Sequence, residues 1–157
     1  MQRRTFVGRI AGLVAAGVAG RRVWAELPPL AGKPTPITVY KSSTCECCAK
    51  WVDHIAASGF APVVHDDEDM DARKDDMGVP RGVRSCHTGI VEKYLIEGHV
   101  PASDIRRLLA ERPKAAGLAV PGMPPRTYGM AGPGVEVGGY VVVAFQGDGT
   151  TSVFARH

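Results

Sequence analysis

The chain has 157 residues, of which 45% are hydrophobic and 22% charged, and its formal net charge at pH 7 is +3. This composition is ordinary for one soluble domain. The positive charge comes from residues 1–25, which hold five arginines and no acidic residue, so the rest of the chain carries a net charge of −2. That balance leaves no basic patch for nucleic acid, and we expect no nucleic-acid partner.

Residues 1–25 have the layout of a bacterial export signal. Arg3 and Arg4 stand just before Phe6, a pairing typical of the twin-arginine route, and an apolar run of about eleven residues follows. The run is too short and too rich in Gly and Ala to span a bilayer. We therefore predict cleavage after Ala25, a periplasmic mature protein and no membrane span in it. The alternative is a basic N-terminal arm.

The mature chain is predicted to begin with a Pro-rich linker, residues 26–35, followed by one domain, residues 36–157. Alternating apolar residues identify the strands, while Ser, Thr and Pro mark helix starts and Gly and Pro mark helix ends. In chain order we predict a strand that begins at Pro36 and ends at Tyr40, a helix from about Cys45 to Ser58, a strand at 61–67 and a short acidic helix at 68–78. These are followed by a Gly/Pro loop at 78–87, a hairpin at 88–100 that turns at Glu92–Lys93, and a helix at 101–113.

A Gly/Pro loop that contains two methionines, residues 119–138, and a hairpin at 139–157 end the chain. The preceding order of strand, helix, strand, helix, hairpin and helix is that of a thioredoxin-like α/β domain with a mixed sheet. We therefore predict this fold, with a C-x-x-C pair at the start of the first helix. The last hairpin, turning at Asp148–Gly149, is an addition to that plan.

Three of the four cysteines lie within four positions, in "TCECCA". Cys45 and Cys48 form a C-x-x-C pair where free N–H groups and the helix dipole favour a thiolate. In the predicted fold the loop "VRSCHT" brings Cys86 to the same place. Cys47 favours a metal site, because a disulfide oxidoreductase has no use for a third sulfur beside the pair, whereas several thiolates can share Cu(I). We predict a copper site, of one or several ions, formed by Cys45, Cys47, Cys48 and Cys86.

Four further residues are candidate ligands. His87 follows Cys86 directly, and His99 lies at a strand end where it can face the same pocket. Met123 and Met130 carry thioethers that suit Cu(I), although anchoring of the loop is an equal alternative. We expect structural roles elsewhere: Trp51, Met70 and Met77 in the core, His54, His65 and His157 on the surface, and the acidic run 65–76 as a solvated helix face.

Several separated motifs resemble one bacterial family. The stretches "VYKSSTCECCAKWVDHI", "SCHT", "YLIEGHVP", "IRRLLAERP" and "GLAVPGMP" are similar to a family long catalogued as a domain of unknown function, which includes periplasmic copper-resistance proteins of the CopG type. The resemblance implies a thioredoxin-like fold, a bridged multi-copper cluster held by cysteines, interconversion of Cu(I) and Cu(II), and a role in handling excess copper. Two departures are Glu46, where the family usually has Gly, and Ala131, where it has an acid.

The leading hypothesis is a periplasmic protein that binds Cu(I) through clustered cysteines for copper resistance, with a copper chaperone or efflux component as partner. The alternative is an enzyme, a thiol–disulfide oxidoreductase in which Cys45 attacks and Cys48 resolves. A third hypothesis is a module stapled by disulfides or zinc, although the four thiols do not form the two separated pairs usual for zinc.

Overall fold

The computed structural model describes residues 32–157. The predicted export signal, residues 1–25, and the predicted linker up to residue 31 lie outside the described residues.

The described part forms strands and helices in the order that the sequence predicted as far as the third helix. The strands are β1 (Thr35–Lys41), β2 (Phe60–Asp66), β3 (Thr88–Val91), β4 (Tyr94–Glu97), β5 (Gly117–Ala119), β6 (Val141–Phe145) and β7 (Thr151–Arg156). The helices are α1 (Glu46–Ala57), α2 (Met70–Asp76) and α3 (Ala102–Glu111), with a short 3₁₀ helix at Arg81–Val83.

All seven strands belong to one mixed sheet, in the order β2-β1-β3-β4-β5-β6-β7. The pairs β1–β2 and β4–β5 are parallel, as the helical crossovers between them require, and the other pairs are antiparallel. The strand β1 therefore lies inside the sheet, and its C-terminal end leads directly into the cysteine-containing turn before α1.

The main apolar core lies between the sheet and the helices α1 and α3. Trp51 and Ile55 from α1 and Ile105 and Leu108 from α3 belong to one buried cluster with residues of the strands. A smaller cluster on the other face joins Val79, Val83, Ala119 and Phe145. Because neighbouring strand residues point to opposite faces, Leu118 contributes to the first cluster and Ala119 to the second.

The strand β5 was not predicted, and it changes the place of the last hairpin. β5 pairs with β4 on one side and with β6 on the other, so β6 and β7 continue the same sheet instead of forming an added unit. Gly117 allows the close pairing, because a Cβ at this position would collide with the backbone of Leu95. No helix among residues 32–157 is both long enough and apolar enough to cross a membrane.

Candidate metal centre

The helix α1 begins at the cysteines. Cys45 occupies its N-cap position with extended backbone, and its side chain makes no capping hydrogen bond. Ser42, Ser43 and Thr44, residue types that often cap helices, instead form the turn that precedes Cys45. Because no side chain caps the helix, its first N–H groups face the cysteine turn with the positive end of the helix dipole.

The sulfur atoms of all four cysteines lie within 4.8 Å of one another; we call this group the cysteine cluster. Cys45 and Cys48 are joined by a disulfide bond, with their Cα atoms 5.3 Å apart. Cys47 and Cys86 are free thiols, and the Cys47 sulfur is 3.5 Å from the Cys45 sulfur. The structure thus brings Cys86 to the turn before α1, as the predicted fold required.

Cys86 is held by a buried polar network behind it. The backbone N–H of Ser85 donates to Glu97 Oε1 over 2.6 Å, and the Thr88 hydroxyl donates to Glu97 Oε2 over 2.6 Å. Lys74 of α2 reaches the same carboxylate, with Nζ 2.5 Å from Oε1, and both charged groups are almost fully buried. Burial raises the pKa of Glu97, although the Lys74 charge and the hydrogen bonds oppose this effect. The network fixes the backbone on both sides of Cys86.

Two buried imidazoles adjoin the cluster. His87 Nδ1 is 3.4 Å from the Cys86 sulfur, and His99 Nε2 is 3.3 Å from the same sulfur. The His87 ring packs against Trp51, with centroids 4.2 Å apart, and its Nε2 has no hydrogen-bond partner among residues 32–157. One ligand atom from each of Cys48, Cys86, His87 and His99 falls within 4.8 Å of the others, so the cluster offers nitrogen as well as sulfur.

Burial sets the protonation states around Cys86. It lowers the pKa of His99 to about 4, and together with the nearby His99, Lys74 and Lys41 it lowers the pKa of His87 well below its usual value. Both rings are therefore neutral at pH 7 and keep a lone pair for a metal. Burial, followed by repulsion from Cys47, raises the pKa of Cys86 to about 12. A metal that binds Cys86 must displace its proton, as metal binding to thiols generally does.

The loop between β5 and β6, residues 120–140, packs over the cluster; we call it the methionine loop. The Ser85 hydroxyl donates to the Gly122 carbonyl, and the Thr127 hydroxyl contacts His99 Nδ1 over 2.9 Å. A Cβ at Gly129 would lie 2.5 Å from the Cys47 carbonyl oxygen, so this part of the loop rests on the first turn of α1. The loop thus touches three sides of the site.

The candidate ligands Met123 and Met130 lie on this loop. The Met123 side chain is 57% exposed, whereas Met130 is partly buried and follows the glycine that contacts α1. Their role as copper ligands stays a prediction, and so does the alternative, anchoring of the loop.

Of the residues expected to be structural, Trp51 behaves as predicted: it is fully buried, and its indole N–H donates to the Val100 carbonyl over 2.9 Å. His65 is exposed, as expected. The prediction for His54 was wrong, because this ring is partly buried, stacks on Tyr128 and accepts a hydrogen bond from the Ala102 N–H.

The remaining predictions were right in part. His157 keeps a side-chain exposure of 28%, but it pairs with Asp104 Oδ2 over 2.8 Å. Met70 and Met77 are only partly buried, and Met77 packs against the smaller apolar cluster. In the acidic run, Asp71 and Asp75 are exposed as expected.

Sequence reasoning missed three polar residues of the site: Lys74, Glu97 and Thr127. Glu97 carried a weak signal, since a lone carboxylate in the apolar strand "YLIE" needs a buried partner. Lys74 was hidden in a run of charges that favours a solvated helix, and Thr127 had no local signal at all.

These features define a mixed α/β protein with a Cys/His cluster, able to bind a metal, at the start of its first helix. Comparisons with known proteins agree with this class. A family model described as a protein of unknown function, DUF411, matches residues 83–130. Copper resistance protein CopG, solved in two forms, is 41% identical, with a TM-score of 0.72 over 79% of this chain and 98% of that chain for both forms. The chain therefore belongs to the CopG family. No curated protein matches it significantly.

Proposed function

We propose that this protein binds Cu(I) as its cargo in the periplasm, through Cys45, Cys47, Cys48 and Cys86, and thereby serves copper resistance. The convergence of four sulfurs within 4.8 Å carries this proposal. Its relative at 41% identity bears the name copper resistance protein. A periplasmic copper chaperone or efflux component is the partner that would receive the ion.

The donor set suits a soft cation. Thiolates select Cu(I) over harder metals, and imidazole nitrogen is a further copper ligand. His87 supports this role, because its Nδ1 lies 3.4 Å from the Cys86 sulfur and its buried ring is neutral at pH 7. His99 directs Nε2 at the Cys86 sulfur. Several sulfurs this close can bridge ions, which would allow more than one copper ion per chain.

The Cys45–Cys48 disulfide must open before all four sulfurs can bind. Two electrons and two protons, supplied by a dithiol reductant, convert the disulfide into two thiols. Cu(I) then displaces the thiol protons. The topology supports the assignment of a thioredoxin-like fold, because the strands follow the order β2-β1-β3-β4 and α1 joins β1 to β2. In such a fold a C-x-x-C disulfide at the start of the first helix is a typical redox-active group.

The first test is the metal content of the protein exported by its own signal, with a free-thiol count after the metal has been stripped under reducing conditions. We expect several copper ions per chain, little zinc and four free thiols. Cys47→Ser should reduce the copper content, while Thr44→Ser, a mild change at the same turn, should not. A protein that carries no copper but has a readily reduced disulfide would refute the proposal.

One observation favours a second candidate function, that of a thiol–disulfide oxidoreductase. The C-x-x-C pair forms the disulfide itself, and a substrate dithiol could reduce it while being oxidised to a disulfide. Cys47→Ser separates the two functions. Loss of copper with unchanged disulfide exchange assigns Cys47 to the metal, whereas unchanged copper and slower exchange would assign it to the enzyme.

A further inference from the structure

We propose that Thr127 is a positioning residue that holds His99 in one tautomer, with the proton on Nδ1 and the lone pair of Nε2 directed at the cysteine cluster. The inference rests on the proposed function for its consequence, copper affinity, but the tautomer itself is a property of the metal-free protein. Nothing in the local sequence around Thr127 indicates this role.

Thr127 lies between a histidine and a backbone carbonyl. Its side chain is fully buried, with Oγ1 2.9 Å from His99 Nδ1 and 3.0 Å from the Pro124 carbonyl oxygen. A hydroxyl has one proton to donate, and a carbonyl oxygen can only accept. When the proton goes to Pro124, Oγ1 must accept from His99, and this requires a proton on Nδ1.

The other end of the ring is consistent with this arrangement. A neutral imidazole carries one proton, so Nε2 is then an acceptor, and it faces the Cys86 sulfur at 3.3 Å. The Cys86 thiol can donate to it in the metal-free state. All these hydrogen bonds then point in one direction, from Cys86 through His99 and Thr127 to Pro124. The reverse direction would leave the Pro124 carbonyl with only the longer hydrogen bond from the Thr127 backbone N–H, over 3.3 Å.

The tautomer has a direct consequence for metal binding. The nitrogen that binds a metal must have no proton, and the hydrogen bond made by the second ring nitrogen selects which one that is. With Nδ1–H fixed by Thr127, Nε2 is ready for copper beside Cys86. The methionine loop supplies Thr127 and thus acts on the site through His99, even if the sulfurs of Met123 and Met130 do not bind copper.

Two variants separate this role from simple packing. Thr127→Val keeps the shape of the side chain but removes the hydroxyl, and Thr127→Ser keeps the hydroxyl but removes a methyl group. In the valine variant Nδ1–H would have no acceptor, so we expect His99 to move its proton to Nε2, with Cys86 as the new acceptor. The serine variant should behave as the parent does.

The first readout is nitrogen NMR of the reduced, metal-free protein, in which the two ring nitrogens of His99 report the tautomer. We expect Nδ1–H in the parent and in Thr127→Ser, and Nε2–H in Thr127→Val. A parent protein with the proton on Nε2 would overturn the proposal, and this holds even if the valine variant does not fold. Retention of Nδ1–H in a folded valine variant would also overturn it.

The second readout is Cu(I) affinity, measured anaerobically by competition with a chromogenic Cu(I) chelator. Thr127→Val should weaken binding by about 10- to 100-fold, the usual effect of removing such a supporting contact, and Thr127→Ser should restore most of it. If the parent shows Nδ1–H but binds no Cu(I), the tautomer assignment stands and the proposed copper function fails. An equal loss in both variants would show that packing, and not the hydroxyl, supports the site.

Discussion

Gly129 fixes the methionine loop against the first turn of α1. It has a φ of +94°, which only glycine adopts readily, and a Cβ there would lie 2.5 Å from the Cys47 carbonyl oxygen and 3.2 Å from the Trp51 nitrogen. Both atoms belong to the backbone, which cannot move without shifting the helix start. The position of the cysteine cluster therefore depends on a residue that has no side chain.

We predict that Gly129→Ala destabilises the protein by about 2–4 kcal/mol, because it combines backbone strain with a backbone clash, and that it weakens Cu(I) binding. Gly134→Ala is the matched control: Gly134 lies on the same loop with a φ of +76°, but no atom of the described residues is within 4 Å of its added Cβ. The control should cost about 1 kcal/mol, the strain alone, and leave copper affinity unchanged. Urea unfolding and Cu(I) competition measure both effects, and equal behaviour of the two variants would contradict the role of the contact.

At the scale of elements, α2 acts on the site through one buried charge. Lys74 is 2% exposed and pairs with the fully buried Glu97 of β4, which in turn accepts from the Ser85 N–H beside Cys86. A short acidic helix with most of its side chains in solvent is thereby tied to the sheet behind the cysteine cluster. This interaction is a buried ion pair, so it stabilises the fold only when both charged partners are present.

We predict that Lys74→Met lowers the free energy of unfolding by about 3–5 kcal/mol, because the Glu97 charge loses its partner in a buried site. Adding Glu97→Gln should recover part of that loss, since the double variant no longer buries an unpaired charge. Lys50→Met, an exposed lysine on α1, is the control and should change stability by less than about 0.5 kcal/mol. A double-mutant cycle by urea unfolding gives the coupling energy, and additive effects of the two changes would argue against the pair.

The elements that could be predicted are those whose signals are local. The alternating apolar residues of β1, the apolar face of α1 and the turn at Glu92–Lys93 can each be recognised from a few neighbouring residues. The strand β5 was missed because three residues give no period, and they become a strand only through pairing with β4 and β6.

The residues of the candidate site also fall into those with a local sequence signal and those without one. The cysteines were found because three of them are clustered in sequence, and the approach of Cys86 followed from the predicted fold. Lys74 and Thr127 lie 23 and 28 residues from their partners Glu97 and His99, and no pattern in the sequence connects such pairs. The same holds for the burial of His54, which depends on its contacts with Tyr128 of the methionine loop and with Ala102 of α3.

At the scale of the whole molecule, His54 joins three parts of the chain. It belongs to α1, accepts from the Ala102 N–H at the start of α3 over 3.3 Å, and stacks on Tyr128 of the methionine loop with ring centroids 3.7 Å apart. Burial, together with the nearby Arg106 charge on α3, lowers the pKa of His54 to about 4. Protonation of His54 would place a positive charge in a partly buried position between α1, α3 and the methionine loop.

The sign of the resulting pH dependence follows from linkage. In the unfolded chain the pKa of His54 is near its usual value of about 6.5. Between that pH and the lower pKa of the folded state, the unfolded state binds a proton that the folded state does not. Stability is therefore highest above pH 6.5 and falls as the pH approaches about 4. His87 and His99, whose pKa values are also lowered by burial, act in the same direction.

We predict that the metal-free protein loses stability between about pH 7 and about pH 5, and that His54→Gln removes about 1–2 kcal/mol of this loss, allowing for the partial exposure of the ring. Glutamine keeps an acceptor for the Ala102 N–H but cannot take up a proton in this range. His65→Gln, which changes an exposed histidine of β2, should leave the pH dependence as it is in the parent. Urea midpoints of the three proteins at the two pH values measure the effect. If His54→Gln lost as much stability as the parent, the pH dependence would have to come from the buried histidines beside Cys86. The contact that His54 makes between α1, α3 and the methionine loop would then not depend on pH in this range.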